Sequence, residues 1–152
     1  MIGNHEVYAG LESSLHFLRS AGFTVLRGES VAAGGIILAG VDDPSAGTDG
    51  QQSVAVHAPG NTDDYVVLLK HQPVADKQIP FDLQLSGHVH GGQIFPFGLL
   101  TRLVYGVGTG LTRLGDGRLL YVSRGTGTWG PPIRLLAEPE ITLITLESEK
   151  IK

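Results

Sequence analysis

Two apolar runs that each end in a histidine constrain this chain more than any other feature. Tyr65 to Lys70 is almost wholly apolar and is followed by His71, and Phe81 to Leu85 is followed by Ser86-Gly87-His88. The continuous run Tyr65 to Lys70 reads as a strand buried on both faces, and Phe81 to Leu85 reads as another strand. In open α/β sheets, ligands gather outside the carboxyl ends of the strands. Both histidines therefore fall where such a sheet builds its site. The second is doubled, as His88-Val89-His90 between Gly87 and Gly91-Gly92. Alternate residues of an extended segment point to one side, and flanking glycines let the backbone turn sharply. A His-x-His pair at that spacing can serve one metal or two neighbouring metals.

Two further segments set metal-capable side chains beside turns: Gly3-Asn4-His5-Glu6 and, more weakly, Asp42-Asp43. His16, beside Phe17, and His57, in a polar stretch, read as ordinary surface or hydrogen-bonded residues. The chain has no cysteine, so thiolate sites are excluded. A divalent ion would be held by His, Asn, Asp or Glu, a set that suits Mn, Zn, Fe, Co or Ni. The net charge of -4 gives no nucleic-acid footprint. No apolar run approaches the roughly 20 residues of a membrane span, and the default location is cytoplasmic. A length of 152 residues suits one domain over 1–152.

Leu11, Leu15 and Leu18 share one face of a helix predicted over Tyr8 to Ala21, stopped by Gly22. Strands are expected at Phe23 to Leu26, Gly35 to Val41, Tyr65 to Lys70, Phe81 to Leu85 and Ile141 to Leu146. Asp42 to Thr62 reads as a loop with at most a short helix from about Asp49 to His57. Gly115-Asp116-Gly117 between Leu111 to Leu114 and Arg118 to Ser123 predicts a hairpin. Gln93 to Leu114 carries no clear period. The fold class is α/β or α+β, with more sheet than helix.

In order, Gly3-Asn4-His5-Glu6, strand-terminal His71 and Ser86-Gly87-His88-Val89-His90-Gly91-Gly92-Gln93 resemble the end of the calcineurin-like metallophosphoesterase signature. Ile94-Phe95-Pro96-Phe97, Val122 to Arg134 and Pro139 to Ile144 are similar to a branch of small bacterial phosphoesterases that resemble membrane-associated phosphodiesterases. The resemblance runs from Gly3 to about Leu146. It implies a β-sandwich flanked by helices that hydrolyses phosphodiesters or phosphomonoesters with divalent metal. It implies Asn4, His71 and His88 as ligands of one metal and His90 as a ligand of another. His5 resembles the histidine that steadies the phosphoryl oxygens and protonates the leaving group, so Asn4 and His5 form the catalytic pair, with Glu6 orienting His5. Arg124 becomes a candidate phosphate or headgroup contact, while Arg134 reads as a surface salt bridge. The implied substrate is a phosphorylated small molecule or a lipid, and membrane association is implied for the intact family member.

The family also carries an Asp-x-His block and a Gly-Asp-x-x-Asp block, and neither occurs here. The expectation is an N-terminally truncated domain with a reduced His/Asn site for one metal. Its sheet is expected to show an unpaired edge beside a central strand, and a homodimer joined through that edge would cover it. The alternative function is a catalytically impaired remnant that binds metal or a partner chain. A third reading is an interaction domain whose histidines are incidental.

Overall fold

The structure, a computed structural model, describes residues 1–47, 54 and 64–147. The helix predicted over Tyr8 to Ala21 is α2 (Leu11–Ser20), and a short helix not expected from the sequence, α1 (Asn4–Tyr8), precedes it. Gly10, at φ 106°, divides them. The Gly3 N–H donates to Glu6 Oε2 at 2.8 Å and closes the first turn of α1. α2 buries Leu15 and leaves Phe17 exposed.

Strand β1 (Glu29–Ala33) returns as β2 (Ile36–Gly40) through Gly34-Gly35. Both glycines have positive φ, as a two-residue hairpin loop demands. Strands β2, β3 (Val66–Leu69), β4 (Leu83–Ser86) and β6 (Leu119–Val122) run parallel, and β5 (Gly110–Arg113) pairs antiparallel with β6. The sheet order is β1-β2-β3-β4-β6-β5. A third helix, α3 (Phe97–Tyr105), lies between β4 and β5 in the chain.

The register sets Ala39, Leu68, Gln84 and Leu120 in one row across the sheet, and all four are fully buried. Ile79 and Phe81 cover this face and form the core with Ala39, Val41, Val66 and Leu68. Gln84 survives there because its amide is satisfied. It accepts from the Asp76 N–H and donates to the Val74 carbonyl and the Ser86 hydroxyl. On the opposite face Leu38, Leu69, Leu85, Leu119 and Tyr121 are only half-buried.

Several expectations change. The described residues form one mixed sheet, where the resemblance implied the two of a sandwich. Ile141 to Leu146, expected as the last strand, makes no strand pairing among the described residues, and Leu143 is 92% exposed. Phe23 to Leu26 is not a strand, because Leu26 packs instead on Gly40, where a Cβ would lie 2.6 Å from its own. Each parallel strand is paired on both sides, so the edges are β1 and β5 and the expected gap beside a central strand does not occur. The short helix expected at Asp49 to His57 lies almost wholly outside the described residues.

Candidate metal centre

The loops after β3 and β4 carry His71 and His88 and are tied together by the Gly87 N–H donating to the His71 carbonyl at 3.0 Å. His88 Nδ1 lies 3.0 Å from His71 Nε2, with the rings edge to face. Asn4, at the start of α1, places its Oδ1 2.9 Å from the same His71 Nε2. Gly3 makes this approach possible, because a Cβ there would meet the His71 ring at 2.7 Å. The glycine of Gly-Asn-His is therefore a space requirement of the site.

The polar bookkeeping of this trio does not close by itself. His71 Nε2 offers one proton or one lone pair. A proton can satisfy Asn4 Oδ1 or a His88 Nδ1 lone pair, not both. A lone pair can accept from His88 and then faces the Asn4 oxygen. A cation among the three atoms would use a lone pair from each. Donors set at right angles around a metal bonded at about 2.1 Å lie about 3 Å apart, close to the spacing found. Burial and the neighbouring His88 charge lower the His71 pKa to about 4. Burial also lowers that of His88. Both imidazoles are thus neutral at pH 7, the form that ligates metal. Among the described residues no group of three His, Cys, Asp or Glu side chains is spaced to hold a metal; the third donor here is an amide oxygen. The trio fits one divalent ion.

His90 does not join the trio. Its Nδ1 lies 3.3 Å from the Gly127 carbonyl and 3.4 Å from Arg134 Nη2. Gly127 can only accept and Arg134 can only donate, so the two contacts compete for Nδ1; the tautomer that bonds the nearer Gly127 carries its proton on Nδ1 and its lone pair on Nε2. Burial lowers the His90 pKa, Gly127 opposes that, and the Arg134 charge adds to it. His88 and His90 both have positive φ, 70° and 50°, a costly conformation for residues with a Cβ. The turn they occupy is locked by Gly92, whose Cβ position lies 2.0 Å from the Gly98 nitrogen.

Two residues outside the expected set hold this turn. Arg134 read as a surface salt bridge in the sequence, yet its guanidinium donates to the carbonyls of His90, Arg124, Gly125, Gly127 and Ala137. Gln93, 3% exposed, donates to the Trp129 and Pro131 carbonyls and accepts from the Trp129 N–H. Pro131-Pro132-Ile133-Arg134 and the glycines around Trp129 were the only signal that a carbonyl-rich loop needs a donor.

Asn4, His5, His88 and His90 line one cavity of about 760 Å³, so the exposed His5 faces the same space as the trio. His5 packs its ring towards Tyr8. Glu6 bonds to Gly3 rather than to His5, so the expected orienting role has no contact behind it. A second cavity, of about 470 Å³, is lined by His71, His88, His90, Ser123 and Arg124. Arg124 forms an ion pair with Glu140 at 3.1 Å. Asp43 is committed elsewhere, accepting from the Ser45 N–H and Gln72 Nε2 at 3.0 Å. Asp42 pairs with Arg27 at 2.8 Å.

The chain is 42% identical to an uncharacterized metallophosphoesterase of Aquifex aeolicus, over 98% of its own length and 60% of the relative's. It is 40% identical to another from Campylobacter jejuni, over 98% of this chain and 42% of that one. It is 34% identical to a zebrafish protein described as a transmembrane protein with metallophosphoesterase domain, over 95% of this chain and 37% of that protein. No family model and no solved structure matches. The chain thus spans well under two thirds of the length of these relatives. Among the described residues no helix is long and apolar enough to cross a membrane. Along nearly its whole length the chain is homologous to a part of each of these metallophosphoesterases.

Proposed function

We propose that this chain hydrolyses phosphate esters, as phosphodiesters or phosphomonoesters, with a divalent ion held by Asn4, His71 and His88. The observation that carries the reading is the crowding of Asn4 Oδ1, His71 Nε2 and His88 Nδ1 within 3.0 Å steps at the carboxyl ends of two parallel strands, in a homologue of metallophosphoesterases. A divalent ion there supplies Lewis-acid stabilisation of the charge that grows on a phosphoryl oxygen. His5, on the wall of the same cavity, donates a proton to the leaving oxygen. His90, its Nε2 lone pair free of the Gly127 contact, is proposed as a ligand or orienting acceptor at the far side. Arg124, at the mouth of the second cavity, is proposed to meet a phosphate oxygen as its pairing with Glu140 is partly exchanged. The metal ion is Mn, Zn, Fe, Co or Ni.

The test is turnover of bis(p-nitrophenyl) phosphate and p-nitrophenyl phosphate with added Mn or Zn. Hydrolysis should depend on metal, and His5→Ala should lower kcat by about a hundredfold or more while metal stays bound. No turnover above a His88→Ala control would contradict catalysis. Metal binding that persists without turnover would favour the second reading, a remnant that binds metal or a partner chain.

A further inference from the structure

We propose that the cavity between α3 and the histidines holds the apolar chain of an amphiphilic phosphate ester. This rests on the phosphoesterase reading for its phosphate end and on separate observations for its apolar end. Phe97, Leu100, Thr101 and Tyr105 of α3 line the cavity, spaced as one helical face. Ile94 and Trp129 close it from the loops. A volume of about 760 Å³ lies within the range of small-molecule sites, which are mainly apolar with few polar groups. The polar groups here include the imidazoles, the Asn4 amide and the Thr101 hydroxyl. Tyr105 joins the two regions, its ring edge to face with His88 at 5.8 Å between centroids.

The outer side of α3 is apolar too. Leu99 is exposed and Leu103 is 81% exposed. Arg102 interrupts this side, yet exposed apolar patches of this kind mark binding surfaces. An apolar rim around an apolar cavity lets a chain enter without crossing a polar collar. Charge agrees with an anionic head. The whole chain carries -4, yet the stretch 83–115 contains Arg102 and Arg113 and no Asp or Glu. A phosphate arriving at His88 therefore meets no carboxylate from α3 or its flanking loops.

The single tryptophan lies on the cavity wall and gives a direct readout. Dodecyl phosphate, kept below its aggregation concentration, is titrated against ethyl phosphate while Trp129 emission is followed. The expected result is a blue shift with the dodecyl ester and binding at least about tenfold tighter than the ethyl ester, because each buried methylene adds affinity. Leu100→Glu should remove that advantage and Leu103→Glu should keep it, with far-UV circular dichroism confirming the fold. Phe97→Ala, a milder cavity change, should reduce it and decides the matter if Leu100→Glu unfolds. His88→Ala should keep the chain-length advantage. Equal binding of the two esters, or an advantage untouched by both cavity variants, overturns the proposal. A chain-length advantage in a protein with no turnover contradicts only the phosphoesterase reading; turnover with no chain-length advantage contradicts only this one.

Discussion

The Nδ1 of His88 lies 3.0 Å from the Nε2 of His71, with ring planes 80° apart and centroids 4.8 Å apart. Two neutral imidazoles in that arrangement share one proton between two nitrogens, and the Asn4 oxygen on the other side of His71 competes for it. The three polar atoms compete at His71 Nε2, and a cation held among them would relieve that competition. The strands dictate the competition: β3 and β4 are parallel neighbours, and each ends one short step before its histidine.

Gly3→Ala tests the closeness of this packing. The added methyl would sit 2.7 Å from the His71 ring, so the ring or α1 must shift. Overpacking of this kind costs about 1–3 kcal/mol. Urea denaturation should show that loss, and metal affinity should fall with it. Unchanged stability in the Gly3→Ala protein would show that α1 is not held against His71 as described.

The second prediction concerns the buried ion pair of Lys70 and Asp76, at 2.8 Å. Asp76 also accepts from the Gln78 and Ile79 amides. Burial raises the Asp76 pKa, but the Lys70 bond and those amides outweigh it and hold it below the ordinary 3.8. A folded-state pKa below the unfolded one means stability that is complete above the unfolded value and lost as pH falls through the folded value. Asp76→Asn should therefore cost about 1–3 kcal/mol near pH 7, and the gap to the parent protein should narrow below about pH 4. A gap independent of pH would assign the cost to packing rather than charge.

The clasp of Arg134 on the turn predicts a spectroscopic signature. With Gly127 accepting from His90 Nδ1, nitrogen NMR of the ring should show the Nδ1–H tautomer above pH 7. Arg134→Gln releases the carbonyls of Arg124, Gly125 and Gly127 and should mix the two tautomers while the strands stay intact. A parent protein already in the Nε2–H form would contradict the geometry of the turn.

Much of this was legible in the sequence, and the misses have identifiable causes. Strand β3 was readable because Val66 to Leu69 is an apolar run buried in the sheet, and β4 because Phe81, Leu83 and Leu85 lead to Ser86-Gly87. The β5–β6 hairpin announced itself through Gly115-Asp116-Gly117. Strand β1 was missed, since Glu29 to Ala33 lies exposed on the edge and carries no alternation, although Gly34-Gly35 was a hairpin signal in plain view. Helix α3 hid because Pro96, Gly98 and Gly106 punctuate the apolar stretch Phe97 to Tyr105 and made it read as irregular. Ile141 to Leu146 has a strand's β-branched composition, but a strand exists only with a partner, and none lies beside it among the described residues. The meeting of Asn4 with His71 could be expected only from resemblance, and the clasps of Gln93 and Arg134 depend on long-range carbonyls that no local pattern encodes.

We further propose self-association. The half-buried sheet face of Leu38, Leu69, Leu85 and Leu119 and the exposed Ile141 and Leu143 offer apolar area, in place of the central edge expected from the sequence. Sedimentation at micromolar concentration should report a homodimer, and Leu143→Glu should dissociate it. A stable monomer would assign that surface to something other than a second copy.

The central claim is that Asn4, His71 and His88 bind a divalent ion together. Calorimetric titration of the chain with Mn or Zn at about pH 7.5 tests it most directly. The account predicts one saturable ion per chain, with affinity falling about tenfold to a hundredfold or more in Asn4→Ala and further in His71→Ala and His88→Ala. Absence of saturable binding, or equal binding by the parent protein and His88→Ala, would contradict it.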